Sequence, residues 1–237
     1  MIKNKLMDSK QESKIVEYES NGQKVKLSPS IIKNYLVNGG GNVTDQEVVM
    51  FLNLCKFQKL NPFLREAYLI KYGTQPATLV TGKDAILKRA YRNENYAGNV
   101  AGIIVVNENG ELERRTGTFK LKDEELVGGW AKVFIKGYDQ PIENEVSLDE
   151  YVGMKSDGEI NSQWKRKPAT MIRKVALVQA LREAFPEELQ AMYDSAEMNI
   201  DMDLPTNEIN QEEIQEAEYT ETVEKVQKEE ENDEFFN

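Results

Sequence analysis

The segment from Trp164 to Phe185, WKRKPATMIRKVALVQALREAF, constrains the fold of this chain more than any other stretch. Pro168 suits the first turn of a helix, because an N–H in that turn has no intrahelical partner. Beyond the proline, apolar side chains cover almost every direction of a helical wheel. Since a helix that is apolar nearly all round is buried, the segment predicts a core helix.

The same segment carries an unusual concentration of positive charge. Between Gln163 and Arg182 there is no acid, and there are six basic residues: Lys165, Arg166, Lys167, Arg173, Lys174 and Arg182. Long basic side chains can extend from a buried helix to water without binding anything. They can also bind an anion. The residues alone leave both interpretations open.

Charge is distributed unevenly along the 237 residues. The net charge is −11, but residues 197–237 contain fifteen acids and two lysines, a net of −13. By subtraction, residues 1–196 carry 28 basic and 26 acidic residues, a net of +2. The acidic stretch lacks apolar periodicity, which is typical of a disordered tail. The acidity of the whole chain therefore does not argue against a body that binds nucleic acid.

Several kinds of chemistry do not fit the composition. Histidine is absent and Cys55 is the single cysteine, which excludes histidine-based triads, disulfide frameworks and thiolate metal clusters. A phosphate-binding loop at Gly82-Lys83 would need a glycine at Ala77 and a serine or threonine at Asp84. No apolar run reaches the length of a membrane span, so we expect a cytoplasmic protein.

We predict three regions: a flexible arm over 1–27, a single domain over 28–196, and a disordered acidic tail over 197–237. Within the domain, Ser28-Pro29 predicts the start of one helix, with serine as the cap and proline in the first turn. Thr44 and Glu47 have the spacing of a capping box and predict the start of a second helix. Ser147 and Glu150 have the same spacing and predict a short third one.

The middle of the domain has the two-residue period of β-strands. EAYLIKY and ATLVT predict two short strands, Asn109-Gly110 predicts a hairpin, and IENEVSL predicts an edge strand. In GGWAKVFIKG, Trp130, Lys132, Phe134 and Lys136 alternate with Ala131, Val133 and Ile135. The first set fits the outer face of an ordinary half-buried strand. It also fits a surface that stacks on bases and contacts phosphates.

The stretch KDAILKRAYRN predicts a short helix between these strands. Lys88, Arg89 and Arg92 share one face, while Ile86, Leu87 and Ala90 lie on the other. A basic stripe of this kind is either a solvated face or a DNA contact.

Four motifs in order resemble the RecT/Bet family of phage single-strand annealing proteins: NPFLREAYLIKY, LVTGKDAILKRA, LVGGWAKVFIKG and WKRKPATMIRKVALVQALREAFPEEL. The resemblance runs from about Val43 to Met192. It implies an α+β fold in which an antiparallel β-sheet packs against a long core helix, here with additional N-terminal helices and the disordered tail. DNA would lie in a basic groove of that fold.

The resemblance also implies a non-enzymatic recombinase that needs no ATP. Such a protein coats single-stranded DNA, anneals it to a complementary strand and holds the duplex intermediate in a homo-oligomeric ring or filament. We expect a phage or prophage protein in the cytoplasm of a bacterial host, with a phage exonuclease and the host single-strand-binding protein as partners. No cofactor is expected, and a need for Mg²⁺ stays open.

The residues expected to bind DNA fall into two groups. Positions that match the family motifs are Lys83, Lys132, Lys165, Lys167, Arg173 and Lys174, with phosphate binding as the implied role. The basic patterns of this sequence add Lys88, Arg89, Lys136 and Arg166, together with Trp164, which either stacks on a base or packs in the core. We predict packing for Trp130 and subunit contacts over Ile31 to Leu54.

Two alternatives remain. The first is a passive single-strand DNA-binding module without annealing activity. The second is a nuclease whose metal ion would be held by carboxylates, although Glu66, Asp84 and Glu94 are scattered over different predicted elements.

Overall fold

The computed structural model of the protein describes residues 15–155, 157–198 and 200. These residues form a mixed α+β structure with helices and antiparallel sheets, which confirms the predicted class. Where we predicted a single domain over 28–196, they divide into two compact units. Unit 1 contains residues 15–65 and 69–78, and unit 2 contains 66–68 and the described residues from 79 onwards. The predicted acidic tail lies, from residue 201 on, outside the described residues.

Unit 1 begins with a β-hairpin. Strands β1 (Val16–Ser20) and β2 (Gln23–Leu27) pair antiparallel, so this half of the predicted flexible arm is ordered. The turn uses Asn21 and Gly22, which have φ values of 54° and 79°. Both residue types adopt this left-handed region readily, and Asn-Gly is a strong hairpin signal. The other half of the arm, residues 1–14, lies outside the described residues.

The hairpin is held by side chains as well as by its own ladder. Val25 and Leu27 are fully buried. The Tyr18 hydroxyl donates to the Leu60 carbonyl at 2.6 Å, and the Ser20 hydroxyl donates to the Lys59 carbonyl at 2.7 Å. The hairpin therefore belongs to the core of unit 1.

Two helices follow, and both start where the caps predict. Helix α1 (Pro29–Ile31) continues as a π-helical turn over Ile32–Leu36, and α2 runs over Asp45–Phe57. The Ser28 hydroxyl accepts from the Ile31 amide at 3.1 Å. Thr44 and Glu47 form the predicted capping box, in which each side chain accepts from the other residue's amide.

Glu47 also holds a distant part of unit 1. Its Oε1 accepts from the Lys71 ammonium at 2.7 Å and from the Ala77 amide at 2.6 Å. The Lys71 hydrogen bond, helped by the amides of Thr44 and Ala77, lowers the pKa of Glu47 to about 2. One carboxylate thus ties the start of α2 to the segment around residues 71–77.

Three short strands come next. Strands β3 (Val37–Asn38), β4 (Ala67–Ile70) and β5 (Thr78–Thr81) lie side by side in that order, and β3 runs parallel to β4. The last two confirm the strands predicted in EAYLIKY and ATLVT.

Unit 2 is built on a four-stranded antiparallel sheet. Helix α3 (Lys83–Arg92) leads into β6 (Tyr96–Val106), β7 (Leu112–Thr116), β8 (Glu125–Ile135) and β9 (Ile142–Ser147). The strand order is β7-β6-β8-β9, so β9 is the edge strand that IENEVSL predicts. Gly110, with φ 80°, turns the predicted hairpin between β6 and β7.

Four helices complete unit 2: α4 (Leu148–Tyr151), α5 (Ser162–Arg166), α6 (Pro168–Ala184) and α7 (Pro186–Leu189). Ser147 is the N-cap of α4, which confirms the short helix predicted there, although the Ser147 side chain makes no cap hydrogen bond. Lys167 separates α5 from α6 with φ −141° and ψ 52°. Proline disfavours helical geometry in the residue before it, which explains the break.

Helix α6 packs across one face of the sheet. A Cβ added to Gly129 of β8 would lie 2.5 Å from the carbonyl oxygen of Ile172, so the two backbones touch. Ala131 and Val133, on the same face of β8, are fully buried. On the helix side, the buried residues are Met171, Ile172, Val175, Ala176, Leu177, Val178, Ala180 and Leu181.

Candidate nucleic-acid interface

Strand β8 separates its side chains as predicted, with small apolar residues toward α6 and larger ones on the other face. Trp130 is only 7% exposed, and its Nε1 donates to the Arg115 carbonyl at 3.2 Å. Gly102 of β6 is its cross-strand partner and leaves room for the indole ring. Trp130 therefore packs on the sheet, whereas Phe134, two positions along, is 38% exposed.

Lys132 lies on the same outer face, within a band of ion pairs. Its ammonium is 3.1 Å from Glu143 Oε2 on β9. Arg114 of β7 reaches across the sheet to Glu143 at 2.9 Å and to Glu145 at 2.6 Å. Such exposed pairs contribute only about 0–1 kcal/mol each, so a phosphate could replace Glu143. Phosphate binding by Lys132 stays a prediction.

We name Lys165, Arg166 and Lys167 the cationic turn, because they lie where α5 ends and α6 begins. All three are exposed. Directly before them, Trp164 is 2% exposed, and its amide donates to the Asn161 side chain at 3.0 Å. The burial of its ring favours packing over stacking for Trp164. The turn is thus a cluster of cations fixed to the core by a buried indole.

Arg173 and Lys174, one turn or more into α6, are half-buried and have internal partners. Arg173 Nε donates to the Ala101 carbonyl of β6 at 3.1 Å. The Lys174 ammonium pairs with Asp194 Oδ1 at 2.7 Å, and the Asp194 side chain is nearly inaccessible. Both cations therefore stabilise the packing of α6, a role that the sequence pattern does not reveal because Asp194 lies 20 residues later.

Arg182, at the other end of α6, also has partners within the protein. Its guanidinium donates to the Met192 carbonyl at 3.2 Å, pairs with Glu197 and lies 4.5 Å above the Tyr193 ring. Glu197 is the first residue of the predicted tail. The contacts of unit 2 therefore include Glu197, one residue beyond the predicted domain boundary at 196.

The remaining predicted residues lie around α3. Lys88 pairs at 2.9 Å with the buried Glu66, and Lys83 pairs at 3.3 Å with the exposed Asp84. Arg89 is half-buried, and Lys136 is exposed. The Lys136 amide donates to the Asn95 carbonyl at 2.8 Å, which places the end of β8 beside the turn that follows α3.

The carboxylates considered as ligands of a nuclease metal ion, Glu66, Asp84 and Glu94, do not form a metal site. Among the described residues, no group of three or more carboxylate, cysteine or histidine side chains could hold a metal ion. Glu66 is engaged by Lys88 instead. In the same part of the chain, no helix has the length and apolar character that crossing a membrane requires.

A sheet-and-helix unit with exposed cations fixed at the start of its core helix is the arrangement expected of a protein that binds a polyanion. Comparison with known proteins gives the particular family. The model of the RecT family matches residues 23–234, so this chain belongs to the RecT family, as the sequence motifs indicated.

A curated relative supports part of this match. The uncharacterized protein UU154 of Ureaplasma parvum serovar 3 is 30% identical over 136 residues, which is 57% of this chain and 52% of the relative. The chain thus spans about half the length of this relative.

Proposed function

We propose that this protein is an ATP-independent single-stranded DNA-binding and strand-annealing protein of phage homologous recombination. The observation that carries the proposal is the exposed cationic turn in a chain of the RecT family. Contacts to phosphates position a strand without reading its sequence. They leave the Watson–Crick edges of the bases free, and annealing requires that freedom.

The surroundings of the cationic turn suit phosphate binding. Lys165 and Lys167 form no salt bridge with any described residue, in contrast to Lys132, Lys174 and Arg182. Lys167 directly precedes the first residue of α6, and the N-terminal end of a helix carries a partial positive charge. We therefore rank the cationic turn first among the predicted DNA contacts, with Lys136 next.

An annealing assay tests the activity. Complementary oligonucleotides, one with a fluorophore and one with a quencher, are mixed with the protein in the absence of nucleotide, and strand integrity is checked on a gel. The proposal expects faster quenching and intact strands. Binding without faster quenching would support the passive module instead, and divalent-dependent cleavage would support the nuclease.

Charge reversal tests the site. The double variant Lys165→Glu/Lys167→Glu should bind single-stranded DNA more weakly, because two phosphate contacts are lost. The slope of log K against log salt should fall by about 1.4, since each phosphate contact on a single strand contributes about 0.7. Lys122→Glu, at an exposed lysine of the β7–β8 connection, is the matched control and should behave as wild type. An unchanged slope in the double variant would show that DNA binds elsewhere.

We also propose that the protein assembles into a homo-oligomer, as a ring or a filament. Exposed apolar residues on the outer face of α2 support this assembly, and they lie within the predicted contact region Ile31 to Leu54 or just beyond it. Val49, Met50 and Phe57 are exposed there, and Phe57 is 73% accessible. An exposed apolar patch of this kind is typical of a protein–protein contact. A phage exonuclease and the host single-strand-binding protein remain the proposed partners, in the cytoplasm of the host cell.

A further inference from the structure

Three aromatic rings of unit 2 form a column from the core to the surface. Phe185, buried at the end of α6, lies 6.2 Å from the ring of Tyr96 on β6. Tyr96 in turn lies 4.9 Å from the ring of Tyr91, on the last turn of α3. Both separations fall in the range of favourable aromatic pairs. Tyr91, the outermost ring, is 54% exposed.

The middle of the column is held in place. Tyr96 is half-buried, and its hydroxyl accepts a hydrogen bond from the Asn99 side-chain amide. Burial raises the pKa of Tyr96 to about 12, so the ring is neutral at all ordinary pH values. Because Tyr91 rests on this fixed ring, little conformational entropy would be lost when a ligand covers its open side.

Two basic residues of α3 are close to Tyr91 in sequence, and both are exposed. Lys88 is one helical turn before Tyr91 and so shares its face of α3, where the Lys88 ammonium also pairs with the buried Glu66 at 2.9 Å; Arg92 follows Tyr91 directly. The Lys136 amide is hydrogen-bonded to Asn95, in the turn between Tyr91 and Tyr96. An aromatic plane among cations is the combination that single-strand binders use for bases and phosphates together.

We infer that the Tyr91 ring is a stacking platform for a base of single-stranded DNA, with Arg92 toward a neighbouring phosphate. The inference rests on the proposed function and adds a base contact to the phosphate contacts named there. Stacking uses the face of a base and leaves its pairing edge free, so the platform is compatible with annealing.

A tyrosine of this exposure could also contact a protein, because tyrosine is enriched in interfaces. The flanking cations favour a polyanion as the occupant. The two possibilities differ in one measurable respect. A stacking platform contributes to binding only when the strand carries bases.

The test compares an oligothymidine strand with an abasic strand of equal length. Tyr91→Ala should bind oligothymidine at least about fivefold more weakly than wild type, since one stacked base contributes that much or more. Its affinity for the abasic strand should equal that of wild type. Tyr91→Phe, which keeps the ring, should restore oligothymidine binding. Tyr138→Ala, at an exposed tyrosine between β8 and β9, is the control for loss of a surface ring.

The outcomes separate the platform from the proposed function. If wild type binds oligothymidine and Tyr91→Ala binds it equally well, the platform is wrong and the proposed function stands. If Tyr91→Ala loses affinity for both strands equally, or forms smaller assemblies without DNA, the ring acts in an interface between copies and the platform is wrong. If wild type binds neither strand, both proposals are wrong.

A second measurement needs no variant. Wild-type protein is irradiated on a strand that carries 5-iododeoxyuridine, which crosslinks to a stacked aromatic ring, and the modified peptide is identified by mass spectrometry. We expect the crosslink on Tyr91. Crosslinks that map only to other residues would overturn the inference even if the alanine variant failed to fold.

Discussion

The close contact between Gly129 and α6 predicts how much an alanine at position 129 would destabilise the fold. In Gly129→Ala, the new Cβ would lie 2.5 Å from the Ile172 carbonyl oxygen and 3.2 Å from the Arg173 amide nitrogen. An ordinary contact needs at least 3.4 Å, so the helix and the strand would have to separate by about 0.9 Å. Neither atom belongs to a side chain that could rotate away.

The expected cost follows from this geometry. Overpacking in a core costs about 1–3 kcal/mol, and a clash between two backbones belongs at the upper end, about 3 kcal/mol. For a chain of this size, each kcal/mol lowers the melting temperature by about 2–4 °C, so the variant should melt about 6–12 °C below wild type. Urea denaturation followed by circular dichroism measures the free energy of unfolding directly.

Gly137→Ala is the matched control, because it adds the same methyl group just beyond the end of β8. Nothing lies within 4 Å of a Cβ there, but φ is +83°. Only backbone strain is expected, about 1 kcal/mol. If Gly129→Ala proved no more destabilising than this control, the close approach of α6 to β8 would be refuted.

Two further predictions concern carboxylates. Glu47→Gln should lower the free energy of unfolding at neutral pH, because the neutral amide cannot pair with Lys71 as a carboxylate does. The folded-state pKa of Glu47, about 2, lies below the ordinary 4.5, so its contribution is full above pH 4.5 and is lost as the pH falls toward 2. The difference between the two proteins in urea denaturation should narrow over that range; a constant difference would contradict the assignment. Deleting residues 197–237 should lower the melting temperature more than deleting 201–237, because only the longer deletion removes Glu197 and leaves its arginine partner on α6 unpaired. Equal melting temperatures would show that this ion pair is not needed.

The sequence predicts the local features of this fold well. The caps at Ser28 and Thr44, the Asn109-Gly110 hairpin and the alternation along β8 are confirmed, because each depends on residues close together in the chain. The β1–β2 hairpin differs from the predicted flexible arm. Asn21-Gly22 is the same turn dipeptide as Asn109-Gly110, but the many charged residues around it are also typical of a flexible segment, so the local sequence there favours two structures.

The candidate site is predicted less completely, for a physical reason. Side-chain spacing indicates which cations lie on one segment, but not which acid from elsewhere reaches them. Lys174 pairs with Asp194, and Lys132 pairs with Glu143 on a neighbouring strand. Both pairings depend on the tertiary fold. The cationic turn could be predicted because its three residues are consecutive and exposed at a helix start.

The ion pairs that join α6 to the segment after α7 have a consequence for the history of the family. Lys174 and Asp194 are each costly to bury alone, so the loss of one charge leaves the other uncompensated. A relative of this chain with a neutral residue at 194 should therefore carry a neutral residue at 174 as well. Arg182 and Glu197 should be inherited together in the same way. Sequences of the family would then show two pairs of positions, 174 with 194 and 182 with 197, that change together.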